Sequence, residues 1–176
     1  MHFPVLRSLA TAALFAISVP ASRAQTPPPP APPPAMPVNH DFDFWLGEWN
    51  VTTPDGKAAG TSRIESIAGG HGLLENWTGE PATGGGNGKS LNAYNIATRQ
   101  WQQFWIGSGG GILELAGGLV EGKMVLSGSH LVRGHPLTER ISWTPNADGT
   151  VRQFWEQSKD EGKTWTAVFD GLYRRK

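Results

Sequence analysis

The stretch Trp101-Gln102-Gln103-Phe104-Trp105 decides the fold, because Trp101, Gln103 and Trp105 recur at every second position. Successive side chains of a β-strand point to opposite faces, so these three share one face. Period-two alternation between turn residues is typical of a half-buried antiparallel strand. The same pattern recurs at Glu75-x-Trp77 and Gln153-x-Trp155. The sequence therefore predicts an all-β domain.

Glycine, asparagine and aspartate residues divide the chain into about ten short segments of this kind. The predicted strands are 48–53, 58–67, 71–79, 91–96, 100–107, 112–117, 122–128, 137–144, 150–158 and 164–173. An aromatic cluster at 42–46 predicts a short N-terminal helical turn before the first strand. The links have hairpin length, which favours an antiparallel up-and-down sheet.

We expect this sheet to form a closed or nearly closed barrel, because closure removes edges that would otherwise pair with other chains. A barrel of about ten strands has room for a small ligand, unless the tryptophans fill it. The glycine-rich segment 81–88 predicts a flexible loop, which either gates a cavity or simply connects two strands.

The first 38 residues have the features of an export sequence and a spacer. Arg7 precedes an apolar run at 9–19 that is too short to span a bilayer, and Ser22-Arg23-Ala24 resembles a cleavage site. We predict a cleaved signal peptide at 1–24, a proline-rich linker at 25–38 and one domain at 39–176. The expected location is periplasmic or secreted, with no integral membrane span after cleavage.

Charge and cysteine content argue against one class of partner and indicate how the domain is stabilised. The chain has 15 basic and 15 acidic residues, and it contains no cysteine. A nucleic-acid partner is not expected, because binding to phosphate backbones needs a clustered positive surface. No disulfide stabilises the domain, so aromatic packing and sheet closure must do so.

Gly47-Glu48-Trp49 resembles the G-x-W signature that opens the first strand of lipocalin-like, or calycin, barrels. In that superfamily the tryptophan packs against a basic residue late in the chain, and the resemblance implies Arg174 or Arg175 for this role. The longer string at 42–49, with the segments at 75–79, 143–149, 153–156 and 162–165, is similar to a family of exported bacterial proteins of unknown function. The resemblance covers roughly 42–174 and implies a lipocalin-like fold without implying a reaction.

The strand alternation predicts which side chains line the lumen. One face carries rings and directed polar groups, which together suit a small-molecule cavity. The predicted ligand-binding residues are Glu75, Trp77, Gln103, Trp105, Arg140, Gln153 and Trp155. The alternative parity places Phe104, Ile106, Phe154, Ile141 and Trp143 inside, because a shift of one residue exchanges the two faces.

The leading hypothesis is an exported protein that binds a small, partly apolar molecule. Glu75 and Arg140 are expected to form an ion pair inside the barrel, where the Arg140 guanidinium would also hold the carboxylate or phosphate of an anionic ligand. One alternative is a cofactor-independent enzyme, isomerase-like or hydratase-like, that uses Glu75 or a histidine as general base. A second alternative is a structural envelope module with a filled core. The histidine spacing predicts no metal site, no cofactor is expected, and the ligand and oligomeric state stay open.

Overall fold

The computed structural model describes residues 37–176 of the chain. The predicted signal peptide at 1–24 and all of the predicted linker up to residue 36 lie outside these residues. Among 37–176, no helix has both the length and the apolar character required to cross a membrane.

Ten antiparallel strands account for most of the described chain. In chain order they are β1 (Gly47–Thr52), β2 (Ala58–Ile67), β3 (Gly72–Gly79), β4 (Gly88–Asn95), β5 (Gln100–Gly107), β6 (Ile112–Val120), β7 (Lys123–Val132), β8 (His135–Pro145), β9 (Val151–Ser158) and β10 (Thr166–Arg175). Single turns of 3₁₀ helix occupy Asp43–Trp45, Ala68–Gly70 and Pro81–Thr83.

The sheet closes on itself. Each strand pairs with the next one along the chain, and β1 pairs with β10 between Trp49–Arg175 and Thr52–Leu172. The prediction of a closed, up-and-down antiparallel barrel is therefore confirmed. Closure gives the backbone groups of both terminal strands a partner and leaves no long free edge.

The predicted ends of β6 and β7 are three and four residues too early, and turn geometry gives the reason. The turn between β6 and β7 is at Glu121 and Gly122, and the turn between β7 and β8 is at Arg133 and Gly134; all four residues have positive φ. Two-residue hairpin turns of this kind keep both strands paired up to the turn. Gly118, which lies beyond the predicted end of this strand at residue 117, consequently belongs to β6.

The lumen is divided along its length, and aromatic packing fills the end at which β1 begins. Five side chains are completely or almost completely buried there: Phe42, Trp45, Trp49, Trp101 and Trp143. The Phe42 ring stacks on Trp45 with a centroid separation of 5.1 Å and meets Trp143 edge-on at 5.2 Å. We call these five residues the aromatic plug. The chain before β1 thus closes this end of the barrel with its own side chains.

Arg175 covers the plug from outside. Its guanidinium carbon lies 4.4 Å from the centre of the Trp49 ring, and its Nη1 donates to the Leu46 carbonyl oxygen at 3.0 Å. Gly47 makes room for this contact, because a Cβ atom at that position would lie 2.5 Å from Arg175 Nη1. Gly47 also has a φ of +127°, which disfavours any side chain. The Gly-x-Trp pattern thus has a local steric cause, and Arg175 occupies the expected basic position.

We expect Arg175→Ala to destabilise the domain by about 1 to 2 kcal/mol, because the substitution removes a cation–π contact and a charge-assisted hydrogen bond together. Arg174→Ala is the matched control, since Arg174 is exposed and has no ring contact among the described residues. Urea unfolding of the three proteins measures the difference. Equal stability of the two variants would contradict this role of Arg175.

Candidate functional site

The other half of the lumen contains a cavity of about 320 Å³. Its lining residues are Thr53, Ala59, Glu75, Trp77, Gly85, Gly86, Gln103, Trp105, Leu113, Ile141, Gln153, Trp155, Phe169 and Tyr173. Gly85 and Gly86 belong to the predicted 81–88 loop and are exposed. The cavity therefore reaches solvent at the barrel end opposite the aromatic plug, beside this loop.

Most of the predicted ligand-binding residues meet in this cavity. Its lining includes Glu75, Trp77, Gln103, Trp105, Gln153 and Trp155. The strands that carry them follow the predicted parity, with the ring-bearing and glutamine-bearing face pointing inward. The alternative parity is wrong for β5, since Phe104 and Ile106 are exposed on the outer surface.

Arg140 is a correction to the predicted site. On β8 the buried residues are Glu139, Ile141 and Trp143, so Arg140 and Ser142 point outward. Arg140 Nη2 instead forms an ion pair with Glu156 at 3.0 Å, and its guanidinium lies 3.9 Å from the centre of the Trp165 ring. The expected Glu75–Arg140 pair does not form, and the cavity has no arginine to recognise an anion.

A chain of polar side chains runs along the β2–β5 wall. Glu75 accepts hydrogen bonds from Ser62 Oγ at 3.0 Å and Ser90 Oγ at 2.9 Å. Asn92 Nδ2 donates to Ser90 Oγ, and Gln103 Nε2 donates to Asn92 Oδ1, both at 2.9 Å. Glu75 lies directly opposite Ser90, and Asn92 lies opposite Gln103, so the strand register creates both contacts. All donors to the Glu75 carboxylate in this network are neutral.

Glu75 is only 3% exposed, and this burial controls its protonation. Removal from water raises the pKa of Glu75 from its ordinary 4.5 to about 7, although the hydrogen bonds from Ser90 and Ser62 oppose this shift. Tyr173 on β10, which donates to Gln153 Oε1 on the neighbouring strand β9, has a raised pKa because of burial and the nearby Glu75 charge. The two walls are therefore electrostatically coupled.

Glycines on the inner face provide the space in which the cavity rings lie. A Cβ atom on Gly88 would lie 2.1 Å from the Trp105 ring, and one on Gly171 would lie 2.5 Å from the Phe169 ring. A Cβ atom on Gly60 would lie 2.8 Å from the Trp77 ring. The rings thus fold against the wall instead of filling the centre, which keeps the cavity open.

Glu139 is a buried acidic residue that the sequence analysis missed. It is 2% exposed and accepts from Trp155 Nε1 at 2.5 Å and from Gln157 Nε2 at 2.9 Å. His130 Nε2 lies 4.0 Å from its Oε1. Glu139 therefore fixes the orientation of the Trp155 ring in the cavity wall. Trp143 lies four residues further along the same strand and therefore on the same face as Glu139. An inward Trp143 was thus the sequence signal that predicts an inward Glu139.

The described part of the chain contains no group of three or more histidine, cysteine or acidic side chains arranged to hold a metal ion. Within the same residues, no histidine lies within hydrogen-bonding distance of Glu75. The two histidines that lie near a carboxylate are His40, beside Asp43, and His130, beside Glu139.

Comparison with protein-family models gives no match to the chain, and comparison with curated proteins gives none either. The resemblance to exported bacterial proteins at 42–174 therefore stays a prediction.

We expect Glu75→Gln to stabilise the protein in a pH-dependent manner. Because the folded-state pKa of Glu75 is raised, the folded protein holds this proton more tightly than the unfolded chain. Its contribution to stability is complete below about pH 4.5 and is lost as the pH rises through about 7. The variant should exceed the wild type by about 3 kcal/mol near pH 8.5 and come close to it near pH 4.5.

Urea unfolding at both pH values checks this expectation, with Glu114→Gln as the control. Glu114 is exposed on β6, so its substitution should change stability by no more than about 0.5 kcal/mol at either pH. A wild type that equals or exceeds Glu75→Gln in stability near pH 8.5 would show that Glu75 is not a buried, uncompensated acid.

Proposed function

We propose that the barrel binds a small, largely apolar molecule inside its lumen. The observation that carries this proposal is the cavity of about 320 Å³ with its aromatic lining and isolated polar groups. Its size lies at the lower end of the range for small-molecule sites, which have this mixture of apolar surface and few polar groups. A barrel that served only as a structural module would have no need of this space.

The cavity wall assigns separate tasks to its side chains. The rings of Trp77, Trp105 and Trp155 supply apolar contact area, while Glu75 and Gln103 supply directed polar atoms. These polar atoms are held by neighbouring side chains, so little conformational entropy is lost when a ligand binds. This preorganisation supports a binding site.

We also propose that the domain is a lipocalin-like barrel that acts outside the cytoplasm. The Gly47-x-Trp49 pattern, with Arg175 over the indole, supports the first part of this proposal. The apolar run at 9–19 and the following cleavage-like residues support export to a periplasm or to the exterior. The proline-rich 25–38 segment then serves as a spacer.

Catalysis is the second candidate function, and one observation favours it. Burial holds the pKa of Glu75 at about 7, where a carboxylate can act as a general base at neutral pH. A catalytic acid or base usually has a partner that orients or relays the proton, and only hydroxyl groups contact Glu75 in the described residues. Binding without chemistry is therefore the better supported function.

To test binding, small apolar compounds are screened against the wild type, and the compounds that bind are then tested on a variant whose cavity is filled. Leu113→Trp adds a large ring to the cavity wall, while Ile112→Trp adds the same ring to the exposed outer face one residue away. Ligand-observed NMR on the wild type should identify binding compounds. We expect Ile112→Trp to retain their binding and Leu113→Trp to weaken it by at least about tenfold, because the ring occupies their space.

Equal loss in both variants, or binding that survives Leu113→Trp, would place the compounds outside the cavity. A screen in which no compound binds the wild type would contradict the proposed function itself.

A further inference from the structure

We infer that the molecule bound in this cavity is an organic cation, whose positive group lies against Glu75 within the ring of aromatic side chains. This inference rests on the proposed function and adds the charge of the ligand. It reverses the expectation of an anionic ligand, which depended on an inward Arg140.

The distribution of charge in the barrel wall supports a cation. Glu75 is the acidic residue in the cavity lining, and no lysine, arginine or histidine lines it. The arginines on neighbouring strands point outward and pair there with acids: Arg63 with Glu65, Arg140 with Glu156 and Arg152 with Asp170. A positive ligand would thus meet a negative interior without competition from a protein cation.

The aromatic lining supports the same conclusion. The cavity is bordered by Trp77, Trp105, Trp155, Phe169 and Tyr173. The Trp77 ring meets Phe169 nearly edge-on at 5.9 Å and lies 6.4 Å from Tyr173 at an angle of 39°. Rings at such different angles present both faces and edges around one space, and aromatic faces attract cations. Several rings around a carboxylate are the typical surroundings of a bound ammonium group.

The state of Glu75 gives a third, independent argument. Its two oxygens each accept one hydroxyl hydrogen bond, from Ser62 and from Ser90. An ionised carboxylate can accept about four hydrogen bonds, so capacity remains on the cavity side. Burial of this charge costs free energy that neutral donors compensate only in part. A bound cation would provide the missing counter-charge, whereas a bound anion would be repelled by the ionised Glu75.

The experiment compares three molecules of similar size and shape that differ in charge. They are 2-phenylethylammonium, 2-phenylethanol and 3-phenylpropanoate, titrated into the full chain by calorimetry at about pH 8.5, where Glu75 is ionised. We expect the ammonium ion to bind at least roughly tenfold more tightly than the alcohol, and the carboxylate to bind most weakly of the three.

Glu75→Gln then tests whether Glu75 is the origin of this preference. We expect the variant to bind the ammonium ion and the alcohol within about threefold of each other, because the shape of the site is kept and its charge is lost. Retained binding of the alcohol shows that the variant is folded with its cavity intact. Glu114→Gln, which changes an exposed acid on the outer face, should keep the full preference of the wild type.

The outcomes separate this inference from the proposed function. If the alcohol or the carboxylate binds as tightly as the ammonium ion, the cavity is a binding site but the inference of a cation is wrong. A preference that survives Glu75→Gln would also overturn it, because the charge would be recognised elsewhere. If none of the three binds and the wider compound screen also fails, the proposed function is contradicted together with the inference.

Discussion

A closed sheet has only one inside, and every strand must place alternate side chains there. This constraint determines the rest of the molecule, because a shift of one residue in any strand would exchange its buried and exposed residues. On β3 and β5 it brings Glu75, Trp77, Gln103 and Trp105 into the lumen together. On β8 it directs Arg140 outward and Glu139 inward. The chemistry of the cavity is therefore a consequence of strand parity.

The lumen combines a solid half and an open half. Packing among Phe42, Trp45 and Trp143 fills one end, and Arg175 covers the same end from outside. Rings in the other half lie against glycines and leave space between them. The stability of the plug allows the open half to keep a buried carboxylate whose charge no protein cation balances. In a barrel without disulfides, such a division lets one end provide stability and the other a site.

The sequence predicted the barrel and most of the cavity, because alternation within a strand is a local signal. Trp101, Gln103 and Trp105 fix the parity of β5 without reference to any other strand. β8 was harder, since the segment 137–144 has candidate inward residues on both faces. Placing Arg140 in the lumen with Glu75 suggested an ion pair. The structure resolves the choice through Trp143, whose ring is needed in the aromatic plug. Packing between distant segments, such as Phe42 with Trp143, cannot be deduced from the pattern of one strand.

The ends of strands were also beyond local prediction. Gly117 and Gly118 have the composition of a turn, yet they lie in β6, where a Cβ atom on Gly117 would be 2.1 Å from the Val125 carbonyl oxygen. Gly117 thus permits close approach of β6 and β7 and does not reverse the chain, whereas a side chain at Gly118 would meet open space. Only the partner strand distinguishes the two uses of glycine.

The most direct test of the inward-facing, desolvated Glu75 is a pH titration of its side-chain carboxyl carbon by ¹³C NMR. We expect a midpoint near 7, because the carboxylate is buried in the lumen with neutral donors. A midpoint near the ordinary value of 4.5 would show that Glu75 is in contact with water or paired with a cation, and it would contradict the cavity described here.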